Sequence, residues 1–135
     1  MADFRFHHGG VNVPDLAQAI AWYERVLGFE VEKSFAIPPI NASVAMMKKG
    51  PLRFEIFEVE NSAPVPEERK MPNTDLRTQG NKHVAFMIDD LDAFLKEMEA
   101  KDVEIPFKVN ESYGAGCFIR DCAGNLIEFV VEPNP

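Results

Sequence analysis

Hydrophobic side chains recur every three or four positions in two segments of the chain, and each segment follows a short strand-like run. The first stripe begins after Asp15 and stops at Gly28, which predicts an amphipathic helix with Asp15 as N-cap and Gln18 completing a capping-box pattern. A second stripe begins after Asp90 and predicts another helix. The apolar residues of the two stripes are Leu16, Ala19, Ile20, Tyr23 and Leu27, and Leu91, Phe94, Leu95 and Met98.

These two segments belong to an internal repeat. Residues 8–16 align with residues 83–91, and residues 52–57 align with residues 125–130. Between the helix and the last strand, each half has room for one or two further strands. The candidates are residues 29–37 with 42–47 in the first half, and residues 105–109 with 116–119 in the second. The sequence therefore predicts an α+β protein made of two βαβββ modules.

The repeat also predicts the domain organisation. We expect one domain over residues 1–135, with the first repeat at about 4–60, a linker at about 61–80 and the second repeat at about 81–132. Three prolines make a regular element throughout the linker improbable. Such a long connection is either a lid, binding loop or interface arm, or a solvated connector.

Strand phase separates functional from core positions, because successive side chains point to opposite faces. In the second repeat, Val84 and Phe86 face the helix, so His83 lies on the opposite face. The repeat then places His8, and not His7, on the corresponding face of the first module. In the last strand of each repeat, alternate apolar residues face the helix. Glu55 and Glu128 therefore lie on the same faces as His8 and His83.

One His and one Glu at matching places in both repeats indicate a metal site. A carboxylate among apolar neighbours is costly unless it is paired, protonated or bound to a metal. His8, Glu55, His83 and Glu128 together form an N2O2 donor set that suits a divalent transition metal. Strand register can slip, so Glu58 and Glu60 remain alternatives to Glu55.

Composition and charge exclude several classes of protein. With 135 residues, 46% hydrophobic and 27% charged, the chain is of ordinary globular type, and no apolar run is long enough to cross a membrane. A net charge of -8 disfavours nucleic acid and anionic membrane surfaces as partners. The first residues lack the pattern of a signal peptide, so we expect a cytoplasmic protein in which Cys117 and Cys122 are reduced, structural thiols.

Several motifs resemble the vicinal oxygen chelate superfamily, which includes glyoxalases, bleomycin-resistance proteins and ring-cleaving dioxygenases. They are His8 with Val13-Pro14-Asp15-Leu16, Trp22-Tyr23 with Val26-Leu27-Gly28-Phe29, His83-Val84-Ala85-Phe86 with Asp89-Asp90-Leu91, and Asp121 with Gly124-Asn125-Leu126-Ile127-Glu128. The resemblance implies an open eight-stranded barrel around a divalent metal (Ni, Co, Zn, Mn or Fe), often in a homodimer. It also implies that His8, Glu55, His83 and Glu128 are the metal ligands.

By this resemblance the chain is a metal-dependent lyase or isomerase that moves a proton on a small oxygen-chelating substrate, with Glu128 or Glu55 as the base. One alternative is an Fe(II)-dependent ring-cleaving dioxygenase that uses His8, His83 and Glu128. Another is a non-catalytic metal-binding or ligand-binding protein. Glutathione-dependent relatives carry Arg at the position of Asn12, so the resemblance does not extend to glutathione.

Further residues on these strand faces are candidates for substrate binding. Arg53 would hold a substrate carboxylate or form a salt bridge with a neighbouring Glu. Tyr113 would donate a hydrogen bond near the metal or pack at the rim. Those that would shape an apolar pocket are Phe57, Met87 and Leu126, with Asn12 beside them.

Overall fold

The computed structural model describes residues 1–132 and contains two compact units, Met1–Pro64 and Val65–Pro135. Each unit holds one βαβββ module, and the strands of each module hydrogen-bond into a four-stranded sheet of their own. The predicted α+β class and the module topology are therefore confirmed. No helix within residues 1–132 has both the length and the apolar character needed to cross a membrane.

The first unit has the strand order β1-β4-β3-β2, with β1 parallel to β4 and the other neighbours antiparallel. Its elements are β1 (Gly9–Asn12), α1 (Leu16–Trp22), a π-helical turn (Tyr23–Leu27), β2 (Glu30–Ile37), a 3-10 turn (Pro38–Ile40), β3 (Ala42–Lys49) and β4 (Leu52–Val59). The predicted strands 29–37 and 42–47 thus correspond to β2 and β3.

Helix α1 begins as the sequence predicts. The Asp15 carboxylate accepts a hydrogen bond from the Gln18 backbone N–H at 3.0 Å, so Asp15 is the N-cap. The helix continues as a π-helical turn that the apolar spacing did not predict, and Gly28 ends it at a φ of 74°. This turn buries Tyr23 against Phe54 of β4, with 5.2 Å between the ring centroids. The helix therefore covers the sheet face that carries Phe54.

The second unit has the corresponding strand order β5-β8-β7-β6, with β5 parallel to β8. Its elements are a 3-10 turn (Glu67–Arg69), α2 (Pro72–Asp75), β5 (Val84–Met87), α3 (Leu91–Ala100), β6 (Phe107–Glu111), β7 (Gly114–Arg120) and β8 (Leu126–Val131). Two one-turn helices thus lie in the predicted linker, where Pro72 occupies a helical start that tolerates proline.

These short helices are held by a buried carboxylate. Asp75 is 2% exposed, and its Oδ1 accepts hydrogen bonds from Arg69 Nε at 3.0 Å and from Lys82 Nζ at 3.3 Å. Lys82 also donates to the backbone carbonyls of Asp75 and Thr78. A buried charged group requires such partners. The segment between the repeats is thereby fixed within the second unit.

Helix α3 packs on the second sheet as α1 packs on the first. Asp90 is its N-cap and accepts a hydrogen bond from the Ala93 backbone N–H at 3.0 Å. Phe94 of α3 lies over Phe129 of β8, with 4.2 Å between the ring centroids. Along β5, Val84 and Phe86 are half-buried while Ala85 and Met87 are exposed, in agreement with the predicted phase.

Gly116 of β7 marks a close approach between strands. A Cβ atom at this position would lie 2.5 Å from the backbone oxygen of Phe129. Gly116→Ala is therefore expected to lower the free energy of unfolding by about 1–3 kcal/mol, measured by urea denaturation. Gly114→Ala on the same strand is the matched control, because a Cβ atom there meets nothing within 4 Å. Equal stability of the two variants would contradict the close approach.

Candidate functional site

The first module brings His8 and Glu55 together. Gly10 of β1 lies opposite Glu55 of β4 in the parallel register, and His8 precedes β1 on the same phase. His8 Nε2 lies 3.5 Å from Glu55 Oε1, and both side chains are partly exposed. We call them the first His–Glu pair, and the side of the first sheet that carries them the Glu55 face.

The second module repeats this arrangement. Ala85 of β5 lies opposite Glu128 of β8, and His83 Nε2 lies 3.3 Å from Glu128 Oε2. The His83 ring packs edge-on against Phe118 of β7, with 4.8 Å between the ring centroids. This contact restricts the imidazole orientation beside the carboxylate. His83 and Glu128 form the second His–Glu pair.

The structure also shows which of Glu55, Glu58 and Glu60 faces His8. Glu58, three residues further along β4, accepts a hydrogen bond at 2.8 Å from the backbone N–H of Leu16, the first residue of α1. Glu58 therefore stabilises the start of the helix, where an anion is favourable. Glu60 lies beyond the end of β4. Of these three carboxylates, Glu55 is the one that faces His8.

The spacing within each pair fits two ligands of one metal ion. The distances of 3.5 and 3.3 Å exceed those of a charge-assisted hydrogen bond. Two donors at ~2.1 Å from one ion lie ~3.0 Å apart in an octahedron and ~3.4 Å apart in a tetrahedron. Within residues 1–132, no group of three or more His, Cys, Asp or Glu side chains is arranged to hold a metal ion. Each module by itself therefore brings one His and one Glu together.

His7 contacts the first pair, which strand phase did not reveal. Its Nδ1 lies 2.7 Å from Nδ1 of His8, and the two rings meet edge to face. A His that binds a metal through Nε2 must carry its proton on Nδ1, and a partner for that proton fixes the tautomer. His7 is placed to accept it.

The remaining residues predicted to bind substrate differ in their solvent exposure. Phe57 lies opposite Asn12 beside the first pair, and Leu126 is buried two residues before Glu128. Met87 of β5 is 65% exposed, and Tyr113, at the turn between β6 and β7, is 80% exposed. Their roles in substrate binding stay predictions.

Arg53 forms a salt bridge with a neighbouring Glu, one of the two roles predicted for it from the sequence. Its Nε donates to Glu32 Oε2 at 2.9 Å. Glu32 lies at an irregularity of β2 between Val31 and Lys33, where the pairing with β3 shifts by one residue. A bulge of this kind is not visible in the hydrophobic pattern, so the identity of the partner could not be predicted.

The cysteines are separate from the two pairs. Cys117 of β7 lies opposite Phe129, on the sheet face that packs against α3. Burial, and to a lesser extent the charge of Glu128, raises the pKa of the Cys117 thiol to about 11. It is therefore a thiol at neutral pH and is neither a nucleophile nor a ready metal ligand. Cys122 is half-buried.

Comparison with known proteins identifies the family. A family model described as the glyoxalase/bleomycin resistance protein/dioxygenase superfamily matches residues 7–119. The chain therefore belongs to this superfamily, as the sequence motifs predicted. Among curated proteins, it is 27% identical over 130 residues to mitochondrial methylmalonyl-CoA epimerase of Bos taurus, a match that covers 92% of this chain and 72% of the epimerase.

Solved structures agree on the fold. A glyoxalase family protein from Enterococcus faecalis superposes with a TM-score of 0.79 at 20% identity, over 93% of this chain and 96% of that one. Glyoxalase I of Leishmania major, described as trypanothione-dependent, gives a TM-score of 0.72 at 21% identity, over 96% of this chain and 88% of that one. At these identities the likeness establishes the fold alone.

Proposed function

We propose that the chain is a metal-dependent isomerase or lyase that moves a proton at the carbon next to a substrate carbonyl. The observation that carries this proposal is the duplicated His–Glu pair, with distances of 3.5 and 3.3 Å in the two modules. In our proposal the two pairs act as one set of two nitrogens and two carboxylate groups for a divalent ion such as Ni, Co, Zn, Mn or Fe. The epimerase relatives support the reaction class.

The chemistry follows from the donor set and its surroundings. When bound, a divalent ion draws electron density from a carbonyl oxygen and makes the neighbouring C–H bond more acidic. Glu128 or Glu55 then takes this proton, because each is a carboxylate held beside its His. Return of the proton to the other side of the same carbon, or to the adjacent atom, completes an isomerisation. Apolar neighbours such as Phe57 and Leu126 limit the access of water.

The partners in this proposal are a small-molecule substrate and a second copy of the chain in a homodimer. The four donors then come from the two modules of one chain or from two chains. Nucleic acid and membrane surfaces have no place in the proposal, because the net charge of -8 repels both.

Deuterium exchange tests the reaction class. Protein loaded with Co²⁺ or Ni²⁺ is incubated in D2O with methylmalonyl-CoA and with small α-hydroxy ketones, and loss of the C–H signal is followed by ¹H NMR. We expect exchange next to the carbonyl of at least one compound, and none with metal-free protein. Oxygen consumption with an Fe(II)-loaded sample and a catechol, without proton exchange, would instead establish the dioxygenase alternative.

His7→Ala tests the support of the first pair. We expect the affinity for Co²⁺ to fall by about 10–100-fold, the usual cost of losing a residue that orients a metal-bound His. Titration of metal-free protein measures the affinity, and thermal unfolding of the same sample should be unchanged, because His7 is exposed. Phe6→Ala, which alters the adjacent exposed side chain, is the control. Equal affinity of the two variants would contradict the role of His7.

A further inference from the structure

Three basic side chains gather on the Glu55 face, although the chain as a whole carries a net charge of -8. Lys48 of β3 lies opposite Arg53 of β4, so both side chains are on one face. Lys33 of β2 lies opposite Met46, which in turn lies opposite Glu55. Arg53 precedes Glu55 by two residues and is therefore its neighbour along the strand. We call Lys33, Lys48 and Arg53 the basic cluster.

Two carboxylates of β2 lie beside this cluster: Glu30, opposite Lys48 in the register, and Glu32, which Arg53 binds. The hydrogen bond from Arg53 and the charges of Arg53, Lys48 and Lys33 keep the pKa of the Glu32 carboxyl below its usual value. The Arg53 and Glu32 side chains are each 30% exposed, so water and small solutes reach the ion pair. An ion pair this exposed contributes little to stability, so an external anion competes for the guanidinium at small energetic cost.

The ion pair also leaves most of the guanidinium available. Glu32 is bound through Nε of Arg53. Within the described part of the chain, Nη1 and Nη2 of Arg53 have no hydrogen-bond partner. These two nitrogens present the parallel donors that bind a carboxylate in a bidentate manner. The Arg53 guanidinium, which lies beside the first His–Glu pair, is thus suited to bind an anionic ligand.

We propose that the substrate is a short organic acid whose carboxylate binds Arg53, with Lys48 and Lys33 adding charge attraction. This inference rests on the proposed function and names its substrate class. Side chains two apart on a strand are separated by ~7 Å at their Cα atoms. A carboxylate at Arg53 therefore places a carbonyl a few bonds away beside Glu55. Phe57, the next residue on this face, then meets an apolar remainder.

Two hydroxamates that differ in one group test the proposal. Succinohydroxamate and butyrohydroxamate share the metal-chelating head, but a carboxylate in the first replaces a methyl group in the second. With Co²⁺-loaded protein and isothermal titration calorimetry, we expect succinohydroxamate to bind at least tenfold more tightly. Arg53→Gln should remove this preference without changing the affinity for butyrohydroxamate. Glu32→Gln, which frees the guanidinium, should increase the preference.

Lys96→Gln, at an exposed position of α3, is the control for a lost positive charge and should leave both affinities unchanged. Equal binding of the two hydroxamates, or a preference that survives Arg53→Gln, would overturn the role of Arg53 while leaving the metal site intact. Failure of both hydroxamates to bind would overturn the proposed metal site instead. Titration of metal-free protein with succinate would then decide the inference: a saturable shift of the Arg53 Nε–H resonance supports it, and no shift overturns it.

Discussion

Glu55→Ala is expected to lower the affinity for Co²⁺ at least ~100-fold, because loss of a residue that only orients a ligand already costs about 10–100-fold. Glu55 faces His8 at 3.5 Å, so its removal takes away one oxygen donor of the proposed set. Proton exchange should be lost together with the metal. Titration with Co²⁺, followed by its visible absorption, measures the affinity.

Glu58→Ala provides a matched control on the same strand. Its carboxylate binds the Leu16 backbone N–H at the start of α1, and not His8. We expect this variant to bind Co²⁺ like the unaltered protein but to lose about 1 kcal/mol of stability, as helices do when a capping interaction is removed. The reverse result, with affinity lost in Glu58→Ala and retained in Glu55→Ala, would show that the register of β4 is wrong.

Asp75→Asn is expected to lower the free energy of unfolding by about 3 kcal/mol, the low end of the range for breaking a buried ion pair, since Arg69 is 36% exposed. The substitution removes the charge that balances Arg69 and Lys82 in the segment between the repeats. Chemical denaturation measures the loss. Asp3→Asn, on the exposed N-terminal segment, is the control and should have no effect.

Because of the Asp75 carboxylate, we also expect the free energy of unfolding to depend on pH. Burial opposes ionisation of Asp75, but the hydrogen bonds and charges of Arg69 and Lys82 outweigh it and hold the pKa below its usual value. The unfolded chain therefore takes up the proton first as the pH falls. The stabilisation is complete at neutral pH and is lost below about pH 4. Asp75→Asn should lack this part of the pH profile, and an unchanged profile would contradict the assignment.

Local patterns in the sequence predicted the elements that position the site. The stripes after Asp15 and Asp90 located both helices, and each of these residues is the N-cap that its chemistry predicted. Period-two alternation placed Glu55 and Glu128 on the faces opposite the helices. These features depend on residues only a few positions apart, so they can be predicted from short stretches of the sequence.

Contacts between distant residues could not be predicted in this way. The partners Glu58 and Leu16 are 42 residues apart, and nothing in the strand pattern connects them. The bulge that brings Glu32 to Arg53 depends on the pairing of two strands. The burial of Asp75 similarly requires the folded second unit, since a lone acidic residue in a proline-containing segment is usually exposed.

The number of metal ions bound per chain tests the central claim most directly. After equilibrium dialysis against Co²⁺, we expect one ion per chain in the unaltered protein, and essentially none in either His8→Ala or His83→Ala, because in our proposal both His–Glu pairs bind the same ion. Retention of one ion per chain in either variant would contradict the account. Two ions per chain in the unaltered protein, with one lost in each variant, would also contradict it, since the two pairs would then be independent sites.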